Sequence, residues 1–293
     1  MKPQTHKGHK EKTWLALMIG NSRLHWALFV GENLQSAWDT PHLPASVVYQ
    51  LAKCQTLGDL PVELVPPSQL NPKSRHFAQR GEPPHTSGSK IQNPKSPLPL
   101  LLASVVPSQT VLWQAYPDVH AITLDQVPLQ GVYPTLGIDR ALALWGAGET
   151  WGLPILVIDA GTALTLTGAD ANRQLVGGAI LPGLSLQFQS LAQRTAGLPL
   201  VDLLDITCLP ERWALNTPEA IQSGVLYTLI AGIRDFINAW WQKFPGSSIV
   251  LTGGDRTLLL KYLQSQFPEV ASRAIADPHL IFWGIRSYFR GQD

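Results

Sequence analysis

The sequence predicts an α/β fold, and three features carry that expectation. Short, nearly unbroken apolar runs of strand length recur along the chain, stretches with helical apolar spacing lie between them, and small-residue turns close several of the runs. Strands buried on both faces read as continuous apolar runs. Their alternation with helices argues for helices lying on the faces of a sheet.

Trp14 to Ile19 is the first such run, broken by Gly20-Asn21-Ser22. Leu24 to Val30 resumes it before a turn at Gly31-Glu32-Asn33, so the segment reads as a hairpin with a polar, glycine-bearing bend. Leu98 to Val106 is a buried strand, a helix-like segment follows it, and Ala121 to Leu124 reads as another strand. From Ile138 to Thr150, Leu142, Leu144 and Trp145 recur at helical spacing among small alanines, which suits a helix packed closely on a sheet. Leu153 to Ile158 and Leu164 to Thr167 are strands around a Gly-Thr bend. Pro182 to Arg194 and Pro218 to Phe244 carry helical periodicity, and Ser248 to Thr252 is a strand ending in glycines.

This organisation gives a disordered tail over residues 1–13, an N-terminal lobe over 14–135 and a C-terminal lobe over 136–293. Between Pro66 and Pro99 the chain is rich in Pro, Ser, Gln and basic residues. Such a stretch cannot bury enough apolar surface to offset its ordering entropy. It reads as a flexible insertion in the first lobe, with a linker between two independent domains as the other reading.

The 293 residues, 45% of them hydrophobic, are enough for a substantial core. Lys plus Arg (22) nearly cancels Asp plus Glu (21), so a net charge of +1 gives no electrostatic case for a nucleic-acid partner. No run of about 18 apolar residues is present, so no membrane span is expected. The basic start (Lys2, Lys7, Lys10, Lys12) has no apolar segment behind it and reads as neither signal nor anchor. Cys54 and Cys208 lack a metal-ligand spacing, and the histidines form no HxxxH or HExxH pattern, so no histidine-bound metal is expected. A reducing, cytoplasmic setting is the simplest assignment.

Three turns follow buried strands: Ile19-Gly20-Asn21-Ser22, Asp159-Ala160-Gly161-Thr162 and Thr252-Gly253-Gly254-Asp255. Free backbone N–H groups and short hydroxyls at such places can grip phosphate oxygens, and an Asp can hold a charge-screening cation. Glycine also fills ordinary turns, so each is ambiguous alone. Asp159 ends the apolar run Ile155-Leu156-Val157-Ile158, where burying a carboxylate is costly without donors or a cation. Gly137-Ile138-Asp139-Arg140 supports two readings. Asp139 is either a helix-start carboxylate favoured by the dipole and paired with Arg140, or a base that orients a substrate hydroxyl while Arg140 binds a carboxylate. Gly146 to Gly152 imitates a dinucleotide fingerprint, but it follows a helix and precedes a strand, so it reads as a helix C-terminus. No GxxxxGK[ST] loop is present, which excludes a P-loop kinase.

Six segments, taken in order, resemble the type III pantothenate kinases: Ile19 to Arg23, Gly137 to Arg140, Asp159 to Ala163, Gly177 to Gly183, Asn216 to Ile221 and Leu251 to Asp255. The resemblance implies two ribonuclease-H-like lobes of the actin-like and sugar-kinase superfamily around a nucleotide cleft, in a protein that forms homodimers. It implies ATP-dependent phosphorylation of pantothenate, the first step of coenzyme A synthesis, with ATP carried as its magnesium complex. Carried over by residue, Asp139 would be the base, and Gly137, Ile138, Asp139 and Arg140 would line the pantothenate site with Thr217 and Tyr133. Asp159 would hold a monovalent cation, K+ or NH4+, and Thr162 would contact the ATP phosphates. Met18, Ile19, Gly20, Asn21, Ser22, Arg23, Leu24 and His25 would form the first phosphate loop. One departure stands out: the family's first motif begins with aspartate, and Met18 holds that place. A thioether does not ligate a hard cation. It favours a second expectation, a nucleotide-binding accessory protein of the same fold with weak or lost turnover.

Overall fold

The computed structural model describes residues 12–54, 64, 97–206 and 208–290. Of the tail expected over 1–13 and the insertion expected over 66–99, all but residues 12–13 and 97–99 lie outside the described residues. The chain divides into two units, one running to Thr123 and one starting at Leu124.

In the first unit, β1 (Thr13–Ile19) pairs antiparallel with β2 (Leu24–Val30), and β2 with β3 (Asn33–Thr40). On the other side β1 runs parallel to β4 (Leu100–Ser104), and β4 to β5 (Val119–Ala121), giving the order β3-β2-β1-β4-β5. Side chains alternate between faces along a strand. Leu15, Leu17 and Ile19 therefore join Leu24, Trp26, Leu28, Leu100 and Leu102 in one core, closed by Val48 and Leu51 of α1 (Ala45–Leu51) and Trp113 of α2 (Pro107–Trp113). Trp26 is its hub, stacked on Trp38 at 6.1 Å and edge-on to Trp113 at 5.3 Å, with its indole N–H donated to Thr40 Oγ1. A buried indole needs such a partner. Trp14 and Phe29 stack at 4.3 Å on the opposite face.

The second unit repeats the same strand order. β6 (Ile155–Ala160) pairs antiparallel with β7 (Ala163–Ala169), and β7 with β8 (Leu175–Pro182); on its other side β6 runs parallel to β9 (Ser248–Thr252), and β9 to β10 (Ala274–Ala276). Leu156, Ile158, Ala160, Leu164 and Leu166 face one core. They share it with α4 (Leu184–Arg194), α5 (Thr217–Lys243) and α6 (Arg256–Gln266). A single turn, α7 (Pro268–Ala271), adds Val270 and Ala271 to that core. Asn216 Oδ1 accepts from the Glu219 amide at 3.0 Å to cap α5, and Pro218 fills its first turn.

The other face of the sheet meets α3 (Ile138–Trp151), which in turn packs on α8 (Leu280–Arg290). Glycines let these two backbones approach. A Cβ on Gly146 would collide with the Leu280 carbonyl, and one on Gly284 with that of Leu142. Gly152 ends α3 at φ 83°, so Gly146 to Gly152 is the helix C-terminus expected of it.

One expectation shifts, and two strands are new. The strand expected over 121–124 lies at Val119–Ala121, and Leu124–Gln126 turns as a 3-10 helix. β3 was not apparent in the sequence because it is half polar, and β8 because Gly177 and Gly178 break its apolar run.

Candidate functional site

Gly137 caps α3 in an extended conformation, and its missing Cβ makes room for Asp139 Oδ1, with which a Cβ would collide. Oδ1 folds back over the helix start and accepts the Arg140 amide at 2.8 Å. The carboxylate thus sits where the dipole favours negative charge. Among the described residues nothing donates to Oδ2.

Arg140 does not pair with its neighbour. Its guanidinium, in a residue only 7% exposed, is turned onto the sheet. Nε donates to Thr167 Oγ1 at 3.0 Å, Nη1 to the Tyr133 hydroxyl at 3.1 Å and Nη2 to the Leu166 carbonyl at 3.3 Å. All three acceptors are neutral, and no carboxylate among the described residues balances the charge. Burying an uncompensated cation is expensive, so such a group is primed for an anion. Of the substrate residues expected from sequence, the structure brings Tyr133 and Arg140 together. It also adds Thr167 and Gly178, since a Cβ on Gly178 would fall 2.6 Å from Arg140 Nη2. Thr217 opens α5 as an exposed residue, and no hydrogen bond joins it to this group.

Thr167 pairs with Val157, and Thr165 with Asp159, so Asp159 lies on the same sheet face as the seat of Arg140. Asp159 is half-buried rather than sealed in the core, which lowers the desolvation cost that its sequence context suggested. Glycines crowd it. A Cβ on Gly253, whose φ is 86°, would fall 2.5 Å from Asp159 Oδ1 and would collide with the Ala160 carbonyl. Gly183 takes the same close approach to the carbonyls of Gly161 and Thr162, while Thr162 itself is exposed at the bend. The donors gathered here are a carboxylate and backbone carbonyls, all hard oxygen ligands.

In the first unit, the segment Met18 to His25 is a strand end, a tight turn and a strand start. Gly20 N–H donates to the Arg23 carbonyl at 3.0 Å, and His42 Nε2 holds the Gly20 carbonyl at 2.9 Å. Met18, Ile19 and Leu24 are buried, so they can present backbone alone; Asn21, Ser22 and Arg23 are exposed. Sequence reasoning missed Asp39. One of its oxygens meets His25 Nδ1 at 2.8 Å and the other accepts from Arg23 Nη1 at 3.2 Å. Burial pushes the Asp39 carboxyl up, but hydrogen bonds and charge from His25 and Arg23 outweigh it and leave the group below the ordinary aspartate value. No local signal pointed to Asp39, because it reaches the turn only through strand pairing.

The family model described as Type III pantothenate kinase matches residues 95–239. A Type III pantothenate kinase of Nostoc sp. strain PCC 7120 is 56% identical over 283 residues, covering 97% of this chain and 96% of that relative. One from Synechocystis sp. strain PCC 6803 is 41% identical over 282 residues, covering 96% and 92%. A solved structure of a conserved Baf family protein from Campylobacter jejuni superposes with a TM-score of 0.56 at 18% identity, covering 95% of this chain and 98% of that one. At that identity the likeness concerns fold alone.

Proposed function

We propose, from the premise that this chain belongs to the type III pantothenate kinase family, that it transfers the terminal phosphoryl group of ATP to the terminal hydroxyl of pantothenate, the first step of coenzyme A synthesis. The observation that carries the reading is that Asp139 stands at the start of α3 beside a residue whose buried guanidinium has neutral partners only. Pantothenate has a hydroxyl at one end and a carboxylate at the other, which suits a base and an unbalanced cation on adjacent residues.

Asp139 takes the hydroxyl proton as the oxygen attacks in line, and positioning supplies most of the acceleration. Arg140, oriented by Tyr133 and Thr167, binds the substrate carboxylate. Gly137, Ile138 and Thr217 complete the substrate contacts. The backbone of the Met18 to His25 turn and the Thr162 hydroxyl hold ATP phosphates. The oxygen donors around Asp159 fit K+ or NH4+, and a cation bound there would screen phosphate charge. Met18, buried and without a hard donor, offers magnesium no ligand; the magnesium of bound ATP would be held by the ATP oxygens, water and Asp159.

The protein acts as a cytoplasmic homodimer in this reading. No helix among the described residues is long and apolar enough to cross a membrane. Leu200, Leu204, Trp213 and Leu215 are exposed within one short stretch, which supports a subunit contact. Met18 alone favours the second reading, an accessory nucleotide-binding protein with weak turnover.

The test is a coupled ADP-release assay with pantothenate, with and without K+. Pantothenate-dependent release that rises with K+ is expected, and no release above background at saturating ATP would sink the kinase reading. Sedimentation of the same sample at a monomer mass would remove the dimer.

A further inference from the structure

We propose that Asp39 is a positioning residue for the nucleotide phosphates, holding the His25 ring and the Arg23 guanidinium at the Gly20 turn so that these two side chains meet phosphate oxygens where Met18 offers no ligand. The proposal rests on the kinase reading above for the identity of its anion.

Register is the first observation. Met18 pairs with His25 across β1 and β2, and His25 pairs with Asp39 across β2 and β3. Directly opposed residues share a sheet face, so the three form one row at the turn end of the sheet, on the face away from the Trp26 core. Asp39 is thus the carboxylate that shares a row with Met18.

Geometry is the second. Each Asp39 oxygen takes one partner, His25 Nδ1 at 2.8 Å and Arg23 Nη1 at 3.2 Å, so one carboxylate fixes both side chains. The other ring nitrogen, Nε2, lies 3.4 Å from where a Cβ on Gly20 would stand. The ring therefore lies over the glycine of the turn, and any larger residue would press on it. With Nδ1 turned to Asp39, the Nε2 edge of the ring faces that turn.

Exposure is the third. The Arg23, His25 and Asp39 side chains are 57%, 38% and 46% exposed. Ion pairs that open to water add little stability. The cluster is therefore poorly explained as a structural staple and well explained as a preorganised anion contact.

The experiment uses the full chain carrying Asp39→Asn or Asp39→Ala. Titration with a non-hydrolysable ATP analogue is expected to show affinity about tenfold weaker, the equivalent of one charge-assisted contact. KM for ATP should rise by a similar factor while KM for pantothenate stays unchanged, a split that a general loss of structure would not produce. Asp39→Glu should recover part of the loss. The loss from Arg23→Gln should be non-additive with that from Asp39→Asn, and simple additivity would overturn the shared role. Unchanged analogue affinity, or equal rises in both KM values at an unaltered melting temperature, would also overturn it. The analogue titration decides about Asp39 even if the wild type shows no turnover with pantothenate. If Asp39→Ala does not fold, the isosteric Asp39→Asn carries the test.

Discussion

Arg140 Nη1 donates to the Tyr133 hydroxyl at 3.1 Å, while Nε rests on Thr167 at 3.0 Å, so a buried cation is aimed by neutral groups and balanced by none of them. An aromatic hydroxyl before the helix and a threonine two strands into the sheet thereby set the direction of one side chain. Arg140→Gln should raise KM for pantothenate by about 10- to 150-fold, the range for hydrogen bonds to charged groups. Tyr133→Phe should raise it less, and neither should change KM for ATP. Steady-state kinetics in both substrates check this, and a rise confined to ATP would remove Arg140 from the substrate site.

Asp139→Asn should lower kcat by about 10²- to 10⁴-fold, the usual contribution of a positioned base. The amide oxygen can still accept the Arg140 N–H, so the melting temperature should hold. Near-normal turnover in a folded variant would mean that the base is elsewhere.

Gly178→Ala forces a methyl group against the Leu166 carbonyl and to within 2.6 Å of Arg140 Nη2. Overpacking of this kind costs about 1–3 kcal/mol. The variant should melt lower and bind pantothenate more weakly. Gly224→Ala on α5, where a Cβ would meet nothing within 4 Å, is the control and should be neutral or slightly stabilising.

Acid should weaken the fold through His279 before it does so through the carboxylates. Burial lowers the pKa of His279 from the ordinary 6.5, Asp277 opposes this, and Arg256 adds to it. The folded state therefore binds fewer protons than the unfolded chain, and this contribution is full above the ordinary value and lost as pH falls below it. Asp39, also lowered, contributes above the ordinary 3.8 and loses that share only as pH falls through its lower folded value. Urea midpoints measured from about pH 7 down to about pH 5 should fall, and His279→Gln should flatten the slope. An unchanged slope in that variant would clear His279.

Much of the fold could be read in the chain because its signals are local. The runs Trp14–Ile19, Ile155–Ile158 and Ser248–Thr252 are strands, and Ile138–Thr150 and all of Pro218–Phe244 but its last residue fall within helices, since apolar period and turn residues are properties of neighbours in sequence. β3 escaped because it is half polar and β8 because Gly177 and Gly178 interrupt it; both acquire strand conformation from the partner beside them. Tyr133 could be suspected from its place before Gly137, but its bond to Arg140 depends on how that guanidinium is turned.

By itself the sequence determined the α/β class, the glycine turns at strand ends and the carboxylate and guanidinium at the start of α3. Tertiary structure alone decided which of these share a surface. Strand register carries no trace in a single segment, because pairing is set between residues far apart in the chain. Register put Thr167 under Arg140, Asp159 on the same face, and Asp39 in line with His25 and Met18.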